Sequence, residues 1–212
     1  MIQINNYTKV IKKRTILDNV SYKFEGGKIY GLHGRNGCGK TMLLRAIAGL
    51  IYATEGEIIS NNKRLHKDMD FLPDTGIIIE NLSMLPQFTG FQNLKILAKI
   101  KKKATDDDIE EALQRVELDP RDHRKVKEYS LGMKQRLSIA QAIFEKPSIL
   151  LLDEPSNALD SKSVEGLHEL LQSEKKRGTL VILASHNKED VFMLCDEVIE
   201  MENGKIVNNN LQ

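Results

Sequence analysis

The chain has 212 residues, with 31 Lys and Arg against 30 Asp and Glu, a formal charge of +1. A balance so close to neutral excludes a strongly basic nucleic-acid binder or an acidic disordered tail as the overall character, so no nucleic-acid partner is expected. The composition, 41% hydrophobic and 29% charged, is that of a globular protein. Its longest apolar stretches, such as Ile149 to Leu152, fall far short of the ~20 residues that cross a bilayer, and the N-terminus lacks the apolar core of a signal peptide. The expected compartment is therefore the cytoplasm, with Cys38 and Cys195 as reduced thiols, since neither sits in a CxxC or Cys/His grouping.

In chain order, Ile2 to Ile4 reads as a strand, followed by the alternation Val20, Tyr22, Phe24 and, after the turn Gly26-Gly27, by Lys28 to Leu32. A Gly-rich loop then leads into an apolar helix over Met42 to Leu50. From Asn81 to Lys146 the pattern turns helical. Phe91 to Ile100 carries Leu94, Leu97 and Ala98 on one face, and the acids 106 to 108 stand where a helix start binds negative charge. A third helix begins at Ser130. Ser148 to Leu152 and Thr179 to Ala184 are continuous apolar runs, as in parallel strands covered on both faces, with a helix from Ser161 to Arg177 between them. The expected fold is α/β, a parallel-sheet core with N-terminal antiparallel β elements. Residues 1–80 and 147–212 would form the core, and residues 81–146 an inserted helical subdomain.

Gly34-Arg35-Asn36-Gly37-Cys38-Gly39-Lys40-Thr41 fits G-x-x-x-x-G-K-[ST] and lies between a strand and a helix, as a phosphate-binding loop must. Its glycines let backbone N–H groups converge on an anion, and the helix that follows adds its positive end. Lys40 would neutralise β- and γ-phosphates and the Thr41 hydroxyl would ligate Mg²⁺, so residues 34–41, with Met42 next in the helix, form the candidate ATP site. Cys38 reads as a small filler in this loop, with no histidine or second thiol close in sequence.

Ile149 to Leu152 delivers Asp153 and Glu154 to the C-terminal end of a strand, where open α/β sheets bind ligands. Asp153 would hold Mg²⁺ indirectly, from behind its direct ligands or through water, and Glu154 would polarise the water that attacks the γ-phosphate. Two adjacent acids also mark the point where a buried strand reaches solvent; the phosphate loop elsewhere in the chain favours the metal reading. His186 follows another such strand and is expected to contact the γ-phosphate, whereas histidines 33, 66, 123 and 168 belong to no constellation.

With these elements in order, the chain resembles the ATP-binding subunits of ATP-binding cassette (ABC) transporters. The segment Tyr129-Ser130-Leu131-Gly132-Met133-Lys134-Gln135-Arg136 is similar to the family signature LSGGQ: Ser130 and Gly132 match, and Tyr129, Leu131 and Met133 depart from it. From the residues alone, Ser130 is a helix N-cap with amides free for an anion. The resemblance implies that Ser130 and Gly132 close over ATP held by the phosphate loop of a second cassette, identical or related, and that Ser156 to Asp160 crosses the dimer seam. It also implies a separate transmembrane permease that keeps the subunit peripheral on the inner membrane face, and the variant signature is similar to that of small bacterial exporters, including those of peptides, bacteriocins or antibiotics. Glu80 stands where the family often has a glutamine and would lie near Mg²⁺ or water. The position for an adenine-stacking aromatic falls at Val10 or Ile11, so Ile11 would contact the base without stacking. An ABC ATPase acting as an assembly scaffold or a regulatory nucleotide-binding module is the competing reading.

Overall fold

The computed structural model describes residues 1–79 and 84–208. In chain order the elements are β1 (Ile2–Ile11), β2 (Arg14–Phe24), β3 (Ile29–His33), α1 (Lys40–Ala48), β4 (Glu55–Ser60), β5 (Lys63–Arg64), β6 (Thr75–Ile78), α2 (Gly90–Lys101), α3 (Asp106–Arg115), a 3-10 turn (Val126–Glu128), α4 (Leu131–Ile143), β7 (Ile149–Asp153), α5 (Ser161–Lys176), β8 (Leu180–Ala184), α6 (Lys188–Leu194), β9 (Glu197–Glu202) and β10 (Lys205–Asn208).

Two sheets form. The antiparallel one has the order β2-β1-β4-β5, and the larger one the order β10-β9-β3-β8-β7-β6. In the larger sheet the ladders from β9 to β6 are parallel and β10 adds an antiparallel edge. The expected α/β core with N-terminal antiparallel elements is what the chain adopts.

The five-residue strands β7 and β8 are apolar at almost every position because both faces are covered. Alternate residues serve different cores: Leu150, Leu152, Val181 and Leu183 join α4 and α5, while Ile149, Leu151, Ile182 and Ala184 join α1 and the antiparallel sheet. The two-residue strand period thus divides one apolar run between two hydrophobic clusters. Helix α1 lies in the second cluster, with Leu43, Leu44 and Ile47 fully buried.

The first strand runs to Ile11, well beyond the Ile2 to Ile4 seen from sequence, because irregular pairing between Ile4 and Tyr7 lets the strand continue through polar Asn5 and Asn6. Sequence reading also passed over β4 and β6, which are short and interrupted by glycine or polar residues.

Helices α2, α3 and α4 follow one another between β6 and β7. Thr89 and Thr105 open α2 and α3 with reciprocal capping boxes to Gln92 and Asp108. Helix α4 crosses β6 at Gly76, where a Cβ atom would stand 1.9 Å from the Ala142 carbonyl oxygen. Only glycine lets the two backbones approach so closely. A second tie is ionic: Glu174 of α5, 2% exposed, lies 2.6 Å from Arg115 of α3 and 2.5 Å from Arg177. Among the described residues no helix is long and apolar enough to cross a membrane.

Candidate active site

Strands β3, β7 and β8 are neighbours and parallel, so their C-terminal ends open onto one edge of the sheet. The loop after β3 turns through Gly34, at φ 151°, and Gly37, at φ 80°, to Gly39, which caps α1 in the left-handed region at φ 115°. No side chain occupies the α1 cap, so the first amides of the helix face the loop. Lys40 is 6% exposed, and its Nζ donates to the carbonyls of Gly34 at 2.7 Å and Arg35 at 3.4 Å. The ammonium is thereby held inside the curl of the loop. Cys38 is buried there, and its sulfur lies 2.8 Å from where a Gly34 Cβ would stand. Arg35 and Asn36 are exposed at the crest, and Met42 packs partly buried against the core behind.

From β7, Asp153 Oδ2 accepts the Thr41 hydroxyl at 2.7 Å. Next to it Glu154 adopts φ 49°, a left-handed conformation unusual outside glycine. Its backbone N–H donates to the Ala184 carbonyl at 2.8 Å, anchoring the bend to the end of β8. One Glu154 carboxylate oxygen lies 2.8 Å from Nδ1 of His186, whose ring is otherwise exposed. The phosphate loop, both acids and the histidine therefore converge, although residues 34, 153 and 186 lie on three different strands' ends.

Thr41 and Asp153 supply hard oxygen donors. Among the described residues no group of three or more His, Cys, Asp and Glu could hold a metal ion by itself. That donor set fits Mg²⁺, which takes one or two protein oxygens and fills its remaining positions with phosphate and water.

Ser130 caps α4, its hydroxyl accepting the Met133 N–H at 3.2 Å, and is exposed. Gly132 faces the segment after β7, with a hypothetical Cβ 3.0 Å from the Ala158 carbonyl. Gln135 donates to the Pro155 carbonyl at 2.9 Å, a contact that sequence reading did not foresee because its partner lies across the fold. Tyr129, where the family pattern has leucine, is 6% exposed and packs its hydroxyl on the Gly90 amide, with burial raising the phenol's pKa.

Ile11 and Val10 are 39% and 37% exposed near the tip of the β1–β2 hairpin. Ile11 pairs with Arg14, and two residues further on the Ile16 carbonyl lies 3.3 Å from the Cβ position of Gly39. The hairpin tip thus borders the phosphate loop. The tyrosines nearest in sequence are engaged elsewhere: Tyr7 is buried and donates to the Ile51 carbonyl, and Tyr22 donates to Glu197. Glu80 lies outside the described residues.

The model of the family described as ABC transporter matches residues 17–157, from the second strand through the acids at the end of β7. The chain belongs to that family. As an ABC ATP-binding subunit it is an ATPase that powers transport. It is 58% identical over 206 residues to the uncharacterized ABC transporter ATP-binding protein YybJ of Bacillus subtilis (strain 168), covering 97% of this chain and 94% of that one. The lantibiotic transport ATP-binding protein SrtF of Streptococcus pyogenes is 35% identical, over 98% of this chain and 89% of SrtF. Among solved structures, the ATP-binding cassette MJ0796, as a dimer in a post-hydrolysis state bound to ADP and Pi, superposes with a TM-score of 0.87 at 25% identity. That match covers 99% of this chain and 98% of the other.

Proposed function

We propose that two copies of this cassette, or this cassette and a related one, bind Mg-ATP at two composite sites. In each, residues 34–42 of one subunit would face Ser130 and Gly132 of the other. In this reading the chain is one ABC ATPase domain whose helical part, residues 81–146, carries the signature. The observation that carries the proposal is the paired contact at one sheet edge, Thr41 to Asp153 at 2.7 Å beside Glu154 to His186 at 2.8 Å. The first pair joins two candidate Mg²⁺ donors, and the second joins the candidate water-activating acid to a candidate γ-phosphate contact.

Lys40 exchanges its loop carbonyls for the β- and γ-phosphates, and the α1 amides complete the anion cradle. Thr41 and Asp153, and by the family resemblance Glu80, would hold Mg²⁺, which neutralises phosphate charge when bound. Glu154 accepts the proton of the attacking water as its oxygen bonds to the γ-phosphorus and the bond to ADP breaks. His186 orients the Glu154 carboxylate and reaches toward the γ-phosphate. Ile11 offers the base an apolar contact.

The dimer would drive a separately encoded membrane permease and sit on the cytoplasmic face through it. The likeness to SrtF, a lantibiotic transport ATP-binding protein, supports a peptide antibiotic as cargo, and the resemblance to small bacterial exporters supports export as the direction. The test is the size of the Glu154→Gln chain by sedimentation, with and without Mg-ATP. It should become dimeric only with nucleotide; a monomer at high protein concentration overturns the sandwich.

A further inference from the structure

Asn93, in the second turn of α2, is 3% exposed and far from the phosphate loop in sequence. A buried amide needs partners, and this one spends its capacity on the loop that precedes its own helix. Its Oδ1 accepts the Leu85 N–H at 2.8 Å, and its Nδ2 donates to the carbonyls of Leu85 at 3.2 Å and Thr89 at 2.9 Å. The loop so pinned presents two further carbonyls outward. Phe88 accepts the N–H of Val126 at 2.9 Å and Pro86 that of Lys127 at 3.0 Å. These are the first residues of the 3-10 turn, which closes with Tyr129 N–H on the Val126 carbonyl at 3.1 Å and releases the chain at Ser130. Tyr129 adds a clamp at the same place by setting its hydroxyl against the Gly90 amide.

We infer that Asn93 is a positioning residue for catalysis in the opposite subunit: through the 85–89 loop and the 3-10 turn it sets where Ser130 meets the partner's nucleotide. This rests on the composite-site reading above. A signature that must close on a triphosphate tolerates little misplacement, since an error of about 1 Å can cost ~10²-fold. Asn93→Ala would leave the Leu85 amide without its acceptor, leave the Leu85 carbonyl with only the Phe88 N–H at 3.2 Å, and loosen the loop that holds the turn. It touches nothing in the phosphate loop.

The test uses full-length chains in the Glu154→Gln background. For Asn93→Ala, the ATP concentration for half-dimerisation should rise at least about tenfold while the monomer's affinity for ATP stays within about twofold. Two mixed pairs with the same substitutions then separate positioning from general destabilisation. Asn93→Ala paired with Lys40→Ala retains one composite site with an intact loop and an intact signature, and should dimerise with ATP. The double variant Asn93→Ala/Lys40→Ala paired with the parent sets its one working loop against the altered signature, and should need at least about tenfold more ATP. Equal behaviour of the two pairs, or a loss of monomer affinity matching the loss of dimer, overturns the inference. Asn93→Ser, which keeps a bond to the Thr89 carbonyl and loses both to Leu85, serves if the alanine variant does not fold. Ser130→Arg in place of Asn93→Ala is the control. If it too shows no asymmetry, the composite site is wrong; asymmetry for Ser130 alone defeats only the role of Asn93.

Discussion

The hydroxyl of Thr41, the second residue of α1, donates to the carboxylate of Asp153, the last residue of β7, at 2.7 Å. This bond ties the start of α1 to the end of β7 and aligns two hard oxygen donors. Thr41→Ala should therefore weaken Mg²⁺-dependent ATP affinity more than affinity in EDTA, by about tenfold for a lost charge-assisted contact. Nucleotide titrations with and without Mg²⁺ check this; an equal loss in both would argue against a metal role for Thr41.

Lys40→Ala removes the fixed cation from the loop interior. ATP binding should fall by about one to two orders of magnitude, in line with the ~1.5–3 kcal/mol carried by hydrogen bonds to charged groups. Isothermal calorimetry would show it, and unchanged affinity would contradict the phosphate-loop assignment.

Glu154→Gln keeps shape but loses the proton acceptor, so turnover should drop ~10²–10⁴-fold. His186→Ala removes the 2.8 Å partner of that carboxylate and should also slow turnover while leaving ATP affinity near wild type. Phosphate-release assays beside equilibrium binding distinguish loss of chemistry from loss of binding.

With no aromatic ring at the hairpin tip, most nucleotide affinity should come from phosphate groups common to all nucleoside triphosphates. ATP and GTP should then compete within about tenfold, a ~1.4 kcal/mol difference. Ile11→Tyr should tighten binding by at most the ~1–3 kcal/mol of base stacking. A hundredfold ATP preference in the unaltered chain would place base recognition elsewhere.

Cys195 supplies a pH signature unrelated to nucleotide. Burial, with Asp196 adding to it, lifts its thiol from 9.0 to about 12. Because the folded pKa is raised, the stabilisation from keeping the thiol neutral is complete below pH 9 and is lost as pH climbs toward 12. The loss can reach about 4 kcal/mol. Between pH 9 and 10.5, urea midpoints of the unaltered chain should therefore fall more steeply than those of Cys195→Ala. Parallel slopes would mean that the thiol ionises as freely when folded as when unfolded.

The local chemistry of the site was legible from sequence because it depends on covalent spacing. The glycines of residues 34–39 can bend only one stretch of chain, Lys40 and Thr41 must follow them directly, and an apolar run ending in Asp153-Glu154 carries its acids to a strand terminus whatever its neighbours are. The capped helix start at Ser130 was readable for the same reason. Which strands lie side by side was not: the order β3-β8-β7, and with it the Glu154–His186 contact, depends on pairings between residues far apart in the chain. The same holds for Tyr129, a departure from the family pattern that gains its place by burial against Gly90, and for Asn93, whose amide means nothing until Leu85 and Thr89 fold back on it. A polar side chain's value is set by whether water or protein satisfies it. That is decided only when packing removes the water.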